Sequence, residues 1–117
     1  MVLQTLPKLH EKAQKVFNAY IRKRDDGLAC ISCGQYRILQ AGHYVPQKNS
    51  SLLRYHEWNV NGECAGCNGF DQFHLISYRN RLIDKIGADA VAFLELNKRG
   101  LKKYTRSELL EIIEKYK

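Results

Sequence analysis

Residues 30–34 read CISCG, residues 41–44 read AGHY and residues 58–68 read WNVNGECAGCN. These runs hold all four cysteines of the 117-residue chain, arranged as two C-x-x-C pairs, Cys30/Cys33 and Cys64/Cys67. A C-x-x-C places two thiolates on one tight turn, and two such turns supply the tetrahedral S4 set of a structural zinc site. The competing readings are two disulfides in a secreted domain, or unpaired thiols in a core. Nothing in the sequence marks secretion, because the first residues, MVLQTLPKLHEK, lack the basic-then-apolar order of a signal peptide. The spacing therefore points to one Zn2+ ion as a structural cofactor of an intracellular protein. Between the two pairs stand His43 and, five residues before Cys64, Asn59.

A chain of 117 residues fits one domain, spanning 1–117. With 44% hydrophobic and 26% charged residues it has the balance of a folded protein, and at this size a metal clip adds welcome stability. No apolar run reaches the about 18–20 residues needed to cross a bilayer. Nineteen Lys and Arg against twelve Asp and Glu give a net charge of +7 and a pI near 9.3. That field favours a polyanionic partner, with ordinary solvated lysines as the bland alternative. Charge alone needs a site beside it.

From Thr5 to about Arg24 the pattern is helical, with Leu6, Leu9, Ala13, Val16, Phe17 and Tyr20 on one stripe and Pro7 in the first turn. Lys8, Lys12, Lys15 and Arg22 occupy the opposite face, either as a solvated surface or as a phosphate-tracking one. Asp25, Asp26 and Gly27 end the helix. Residues 36–44 read as extended, with Tyr36, Ile38 and Leu39 suited to a short strand. The stretch 45–51, with Pro46, is a loop, and 52–60 is a second short strand or an irregular return. From Asn68 a helix is expected, with Phe70, Phe73, Tyr78, Leu82, Ile83 and Ile86 on its apolar face and Gly87 as its stop. Another follows over about 89–98, with Val91, Phe93, Leu94 and Leu96 apolar. Thr105–Glu108 forms a capping box that opens a last helix, whose inner face carries Leu109, Leu110, Ile112, Ile113 and Tyr116. The fold class is α+β, with a zinc-stapled core over about 28–87 and flanking helices over about 5–25 and 88–117.

The order of the central stretch suits phosphodiester hydrolysis, which needs a base to activate water, a cation to stabilise charge and rigid placement of both. A neutral imidazole suits the base, so His43 takes that role. Asn59 would fix the ring, by accepting a proton from its far nitrogen or by bonding the nearby backbone. Asn68, expected on the first turn of the helix after the second pair, would offer a side-chain oxygen to a hard cation such as Mg2+. Singly, each residue has a mild explanation: a strand histidine is commonly structural, and Asn after C-x-x-C is commonly a turn residue. Only the ordered set carries weight.

That set resembles the HNH, or ββα-metal, nucleases, with His at the end of a β-hairpin, Asn in the middle and His or Asn on the helix. A closer resemblance is carried by KVFNAYIRKRDDGLACISCG, QAGHY, LRYHEWNVNGECAGCN, YRNRLIDKIG and KKYTRSEL, which are similar to the NinG/Rap family of lambdoid-type phages. It runs from about residue 12 to the end of the chain. The resemblance implies a zinc-stapled ββα-metal (HNH-like) core and a structure-selective DNA endonuclease for branched recombination intermediates, such as D-loops and Holliday-type junctions. It also implies a divalent cation, Mg2+ or Mn2+, and a phage-encoded protein in the cytoplasm of a bacterial host. By position, His43 matches the AGHY histidine, Asn59 the middle asparagine, and the four cysteines the zinc ligands. Arg54 and Glu57 match the R-F-x-E-x-N run of the family, and Arg79 its Y-R.

Three departures stand out. Many HNH enzymes place Asp just before the base histidine as a cation ligand, where this chain has Gly42; the NinG pattern shares the glycine, so the cation needs another ligand. Where the family has Asn, this chain has His74, six residues after Asn68, with Asp71 as a geometric rival for the cation. Family members also carry a further cysteine-bearing N-terminal segment not seen here, which leaves room for different substrate selection. The expected cation ligands are Asn68 and His74. Arg54, Arg79 and Arg81, with Lys12 and Lys15, are the candidate phosphate contacts. Symmetric cutting of a four-way junction would favour a homodimer. The rival readings are a zinc-dependent DNA-binding module without catalysis, and a nuclease acting on RNA or without branch selectivity.

Overall fold

The two C-x-x-C turns flank one antiparallel hairpin, and the helices are arranged around it. The computed structural model describes residues 3–69 and 73–117. Strand β1 (Leu39–His43) pairs with β2 (Val60–Cys64) in the register Leu39↔Cys64, Gln40↔Glu63, Ala41↔Gly62, Gly42↔Asn61 and His43↔Val60. Opposed residues share a face and successive ones alternate. Ala41 and Val60 therefore look one way, and Gly42, Asn61 and Glu63 the other.

The first face rests on helix α1 (Leu6–Arg24), which Thr5 caps by accepting a hydrogen bond from the Lys8 amide. Leu9, Ala13, Phe17 and Ile21 recur every fourth residue and are buried against Tyr55, Val60 and helix α4 (Arg106–Tyr116), which contributes Leu109 and Ile113. The capping box expected at α4 is formed: Glu108 N–H donates to the Thr105 hydroxyl, and Thr105 N–H donates to the Glu108 carboxylate. The stripe of α1 is displaced from the expected one. Leu6 is 43% exposed, and Ile21 completes the buried row instead. Leu110 of α4 likewise points outward.

The second face meets helix α2 (Phe73–Ile86), through Tyr78, whose hydroxyl donates to the Gly42 carbonyl and accepts from the Asn61 amide. Tyr78 and Leu82 join Ile31, Val45 and Leu53 and, from helix α3 (Ala88–Leu96), Val91 and Leu94 in a second apolar cluster. Phe93 and Leu96, apolar residues of α3, are exposed. Phe70, expected on the apolar face of α2, lies outside the described residues.

One strand expectation shifts, and of the two readings of 52–60 the irregular return is the one formed. Tyr36 and Ile38 are 80% and 92% exposed and precede β1, while residues 51–53 form a 3-10 turn and β2 starts only at Val60. The physical reason is that AGHY finds its ladder partner in the run-up to the second C-x-x-C, so the return from 52 to 59 has no strand left to pair with.

A buried polar knot ties these layers together. Asp25 accepts from Arg24 Nε (2.8 Å) and Nη2 (2.9 Å), from Lys85 Nζ (2.9 Å) and from the Gly62 amide (2.8 Å). Arg24 also donates to the Glu57 and Val60 carbonyls. The C-terminus of α1, strand β2 and the end of α2 thus share one carboxylate. Among the described residues no helix is long and apolar enough to cross a membrane.

Candidate functional site

The four cysteine sulfurs lie within 4.8 Å of one another, with Cys33 Sγ and Cys64 Sγ 3.9 Å apart. A tetrahedron with Zn–S bonds of about 2.3 Å has edges of about 3.8 Å, so the set fits zinc. All four cysteines are free of disulfides. The two turns repeat one geometry: Gly34 N–H donates to the Cys30 carbonyl and Asn68 N–H to the Cys64 carbonyl. Burial would raise the Cys30 thiol, but the N–H groups of Cys33, Cys64 and Ser32 point at its sulfur and bring it down to about 7. Burial and the crowding of the other sulfurs push Cys67 up. Thiolates packed this closely repel one another, and a divalent cation relieves that repulsion. These four residues could hold a zinc ion.

Beyond the cysteines opens a cleft of about 580 Å3 whose lining includes His43, Lys48, Glu63, Asn68, His74 and Tyr78. His43 closes β1, and its Nε2 lies 3.0 Å from the Arg54 carbonyl. A carbonyl only accepts, so Nε2 carries the proton and Nδ1 keeps the lone pair. Burial lowers the pKa of His43; the Arg54 carbonyl opposes this, and the Arg54 charge adds to the lowering. The ring is therefore neutral near pH 7.

Asn59 does not touch the imidazole. Fully buried, it donates to the Val45 (2.9 Å) and Leu53 (3.1 Å) carbonyls and accepts from the Val45 amide (2.8 Å). Its own carbonyl accepts from Tyr44 N–H. Of the two roles expected for it, the bond to nearby backbone is the one formed. It clamps the segment after His43 to the segment that presents the Arg54 carbonyl.

Asn68 departs from expectation in its backbone. It lies in the turn that closes the second cysteine pair, and Gly69 follows with φ +92°, a conformation that no helical turn contains. Its Nδ2 donates to Gln40 Oε1, which leaves Oδ1 for the cleft. His74, in the first turn of α2, lines the same cleft, so the two expected cation ligands are neighbours across it. Asp71, the rival ligand, lies outside the described residues.

Glu63 and Lys48 also line the cleft and were not singled out in the sequence. Glu63 is 6% exposed, one of its oxygens accepts from the Ser32 hydroxyl, and among the described residues it makes no ion pair with a Lys or Arg. Burial raises its pKa, against the Ser32 bond and the charge of His74. The signal that finds Glu63 is the strand pairing: once β2 is placed at 60–64, it faces the same side as Gly42.

The basic candidates separate. Arg79 makes two bonds to Glu95 on α3. Arg81 donates to the Ser32 carbonyl and packs on Gly34, bracing the first cysteine turn. Arg54 bonds Gln14 and lies over the Tyr55 ring. Lys12 and Lys15 are exposed on α1.

Comparison with known proteins agrees along nearly the whole chain. The family described as Bacteriophage Lambda NinG protein matches residues 2–117. Protein ninG of Escherichia phage 933W is 39% identical over 108 residues, covering 91% of this chain and 53% of that protein. The lambda protein of the same name is 42% identical over 89 residues, 74% of this chain and 44% of its own length. That of Salmonella phage P22 is 41% identical over 87 residues, 73% and 43%. The chain thus spans about half the length of the curated relatives it matches. No solved structure matches it. With a family match from end to end and phage relatives at about two-fifths identity, the chain belongs to the NinG family of phage proteins.

Proposed function

We propose that this chain hydrolyses phosphodiester bonds in DNA, with a preference for branched recombination intermediates, through His43 and one divalent cation. The observation that carries the reading is the state of His43: a neutral ring with its proton fixed on Nε2 by the Arg54 carbonyl and its basic Nδ1 left on a cleft-lining residue. Nδ1 takes a proton from a water molecule as the water oxygen attacks phosphorus and the bond to the leaving sugar oxygen breaks. Asn59 positions the base through the backbone on either side of it. Asn68 Oδ1 and His74 would hold the cation, Mg2+ or Mn2+, which when bound stabilises charge on the phosphate and the leaving oxygen. Zinc held by the four cysteines would fix the hairpin without taking part in the reaction. A strand that ends in the base, its antiparallel partner and a helix docked on them support an HNH-like core.

DNA as partner is supported by the +7 charge and by exposed Lys12, Lys15 and Lys48. Of the candidate arginines, Arg54 holds the base through its backbone carbonyl, and Arg79 would have to leave Glu95 to reach a phosphate. Branch preference, action in the host cytoplasm and a homodimer on four-way junctions rest on the resemblance to the NinG/Rap nucleases. The test is cleavage of labelled linear duplex, D-loop and four-way junction by zinc-loaded protein, with Mg2+, with Mn2+ and with EDTA, beside His43→Ala. Cation-dependent cutting near the branch, absent in the variant, is expected. Junction binding without any cutting would make the chain a zinc-dependent DNA-binding module, and faster cutting of structured RNA would move the substrate to RNA.

A further inference from the structure

We propose that Glu63 supplies the anionic ligand for the cation in the His43 cleft, and that position 42 is glycine so that this carboxylate can enter. The inference rests on reading that cleft as a cation site. Its warrant is a conflict in the structure. Glu63 is 6% exposed, yet among the described residues no Lys or Arg forms an ion pair with it. A buried carboxylate is costly unless it is paired, protonated or bound to a metal. Asp25, the other deeply buried acid of the fold, is saturated by Arg24, Lys85 and an amide. Among the described residues Glu63 accepts a side-chain hydrogen bond from the Ser32 hydroxyl alone, on one oxygen, and the basic group facing it is His74, which lines the same cleft.

The second oxygen is placed by the sheet. Glu63 pairs with Gln40, and its side chain leans diagonally along the strand to position 42, on the face shared by both. A Cβ at Gly42 would collide with Glu63 Oε1 and stand 2.9 Å from Glu63 Cβ. Gly42 has no positive φ that would call for glycine, so the missing side chain serves space rather than backbone conformation. The carboxylate that fills this space lines the cleft together with Asn68 and His74. One anionic oxygen, one amide oxygen and one imidazole form a mixed O/N set, open to water, of the kind that suits Mn2+ and, through its oxygens, Mg2+. Ser32, in the first cysteine turn, holds the other oxygen and so links the zinc turn to the ligand's orientation.

The probe is Mn2+ alone, titrated into zinc-loaded full chain and followed by the electron paramagnetic resonance of free Mn2+. Glu63→Gln keeps the size of the side chain and removes its charge. It is expected to weaken Mn2+ binding by at least about tenfold, the lower end of what even an outer-shell partner contributes. His43→Ala is expected to bind Mn2+ like wild type. A relocation variant guards against misfolding: Gly42→Asp with Glu63→Ser should regain Mn2+ binding that Glu63→Ser alone has lost. Zinc content and thermal melting qualify each protein.

Mn2+ binding unchanged in folded Glu63→Gln would overturn the inference, and so would wild type that binds no Mn2+ at millimolar concentration. If Glu63→Gln fails to hold zinc, the relocation pair decides, and no recovery of binding counts against Glu63. The readout is independent of cleavage. A wild-type protein that binds Mn2+ through Glu63 but cuts no nucleic acid would leave this assignment standing and remove the nuclease reading.

Discussion

The imidazole of His43 can carry its proton on either nitrogen, and the Arg54 carbonyl 3.0 Å from Nε2 selects one. Two consequences belong to that residue. Replacement by Ala should lower cleavage by about 100-fold or more, the range typical of a lost general base, with junction binding within about twofold of wild type in a gel-shift titration. The pH profile follows from the lowered pKa. Only the neutral ring accepts a proton, so cleavage should rise with pH along an acid limb centred below the ordinary histidine value of about 6.5 and level off above it. An acid limb centred above 6.5 would contradict a buried, neutral base. Linkage has the same direction. The unfolded chain binds the proton more readily than the fold, so His43 withdraws stability as pH falls below about 6.5. Asn59 makes a companion case. Its amide donates to two carbonyls, which a carboxylate cannot do. Asn59→Asp should cost about 2 kcal/mol or more in urea unfolding, as buried acceptors lose their donor, and should lower cleavage by loosening the backbone that holds the base.

Among the elements, α1, β2 and α2 meet at Asp25, and the helix end explains why this residue needs its partners. An acid at the C-terminus of α1 opposes the helix dipole, so its place depends on Arg24, Lys85 and Gly62. Burial would raise its pKa, but those hydrogen bonds outweigh burial and hold it below the usual carboxylate range. Its contribution is thus complete above about pH 4 and lost as pH falls through the lower, folded value. Lys85 is lowered, by burial first and by the neighbouring Arg24 charge, whereas Asp25 draws on two cations. The pair is therefore asymmetric, and its substitutions should be too. Asp25→Ala takes the shared acceptor from two partly buried cations, which keep other acceptors, and should cost about 2–3 kcal/mol, while Lys85→Met leaves the Arg24–Asp25 pair in place and should cost clearly less. Urea denaturation of both proteins checks the order. At the other end of the chain, Thr105→Ala removes the capping box and should cost about 1 kcal/mol, loosening α4 from α1.

The molecule as a whole hangs two apolar clusters on one two-stranded sheet, too small to be stable by itself. Leu39↔Cys64 is the last rung of its ladder, so one end of the hairpin is a member of the four-cysteine cluster. Arg81 then carries the first cysteine turn to α2. Chelation should release about one zinc per chain, as an S4 site requires, and abolish the cooperative unfolding transition seen by circular dichroism. A chelated protein that keeps its melting transition would mean that the two clusters suffice without the metal. Cleavage, if present, should fall with zinc loss even when Mg2+ is supplied, because the hairpin that carries His43 loses its anchor.

Read alone, the sequence determined what depends on neighbours in the chain. The two cysteine turns, α1 with its Pro7 start, Gly87 after α2, and the Thr105–Glu108 box are local patterns, and each is present at its expected place. His43 and Asn59 were legible as residues of interest, though not the partners they use. Tertiary structure decided whatever depends on pairing between distant segments. β2 could not be assigned before its ladder with β1 was known, and Leu6, Phe93, Leu96 and Leu110 are exposed because each helix buries only the stripe its partner covers. The Arg54 carbonyl on His43 comes from 11 residues away, and Arg79 meets Glu95 across 16. Glu63 is the clearest instance. In sequence it is one acid beside a cysteine; in the hairpin it fills the space that Gly42 leaves empty, because strand register places side chains in contact that chain distance keeps apart.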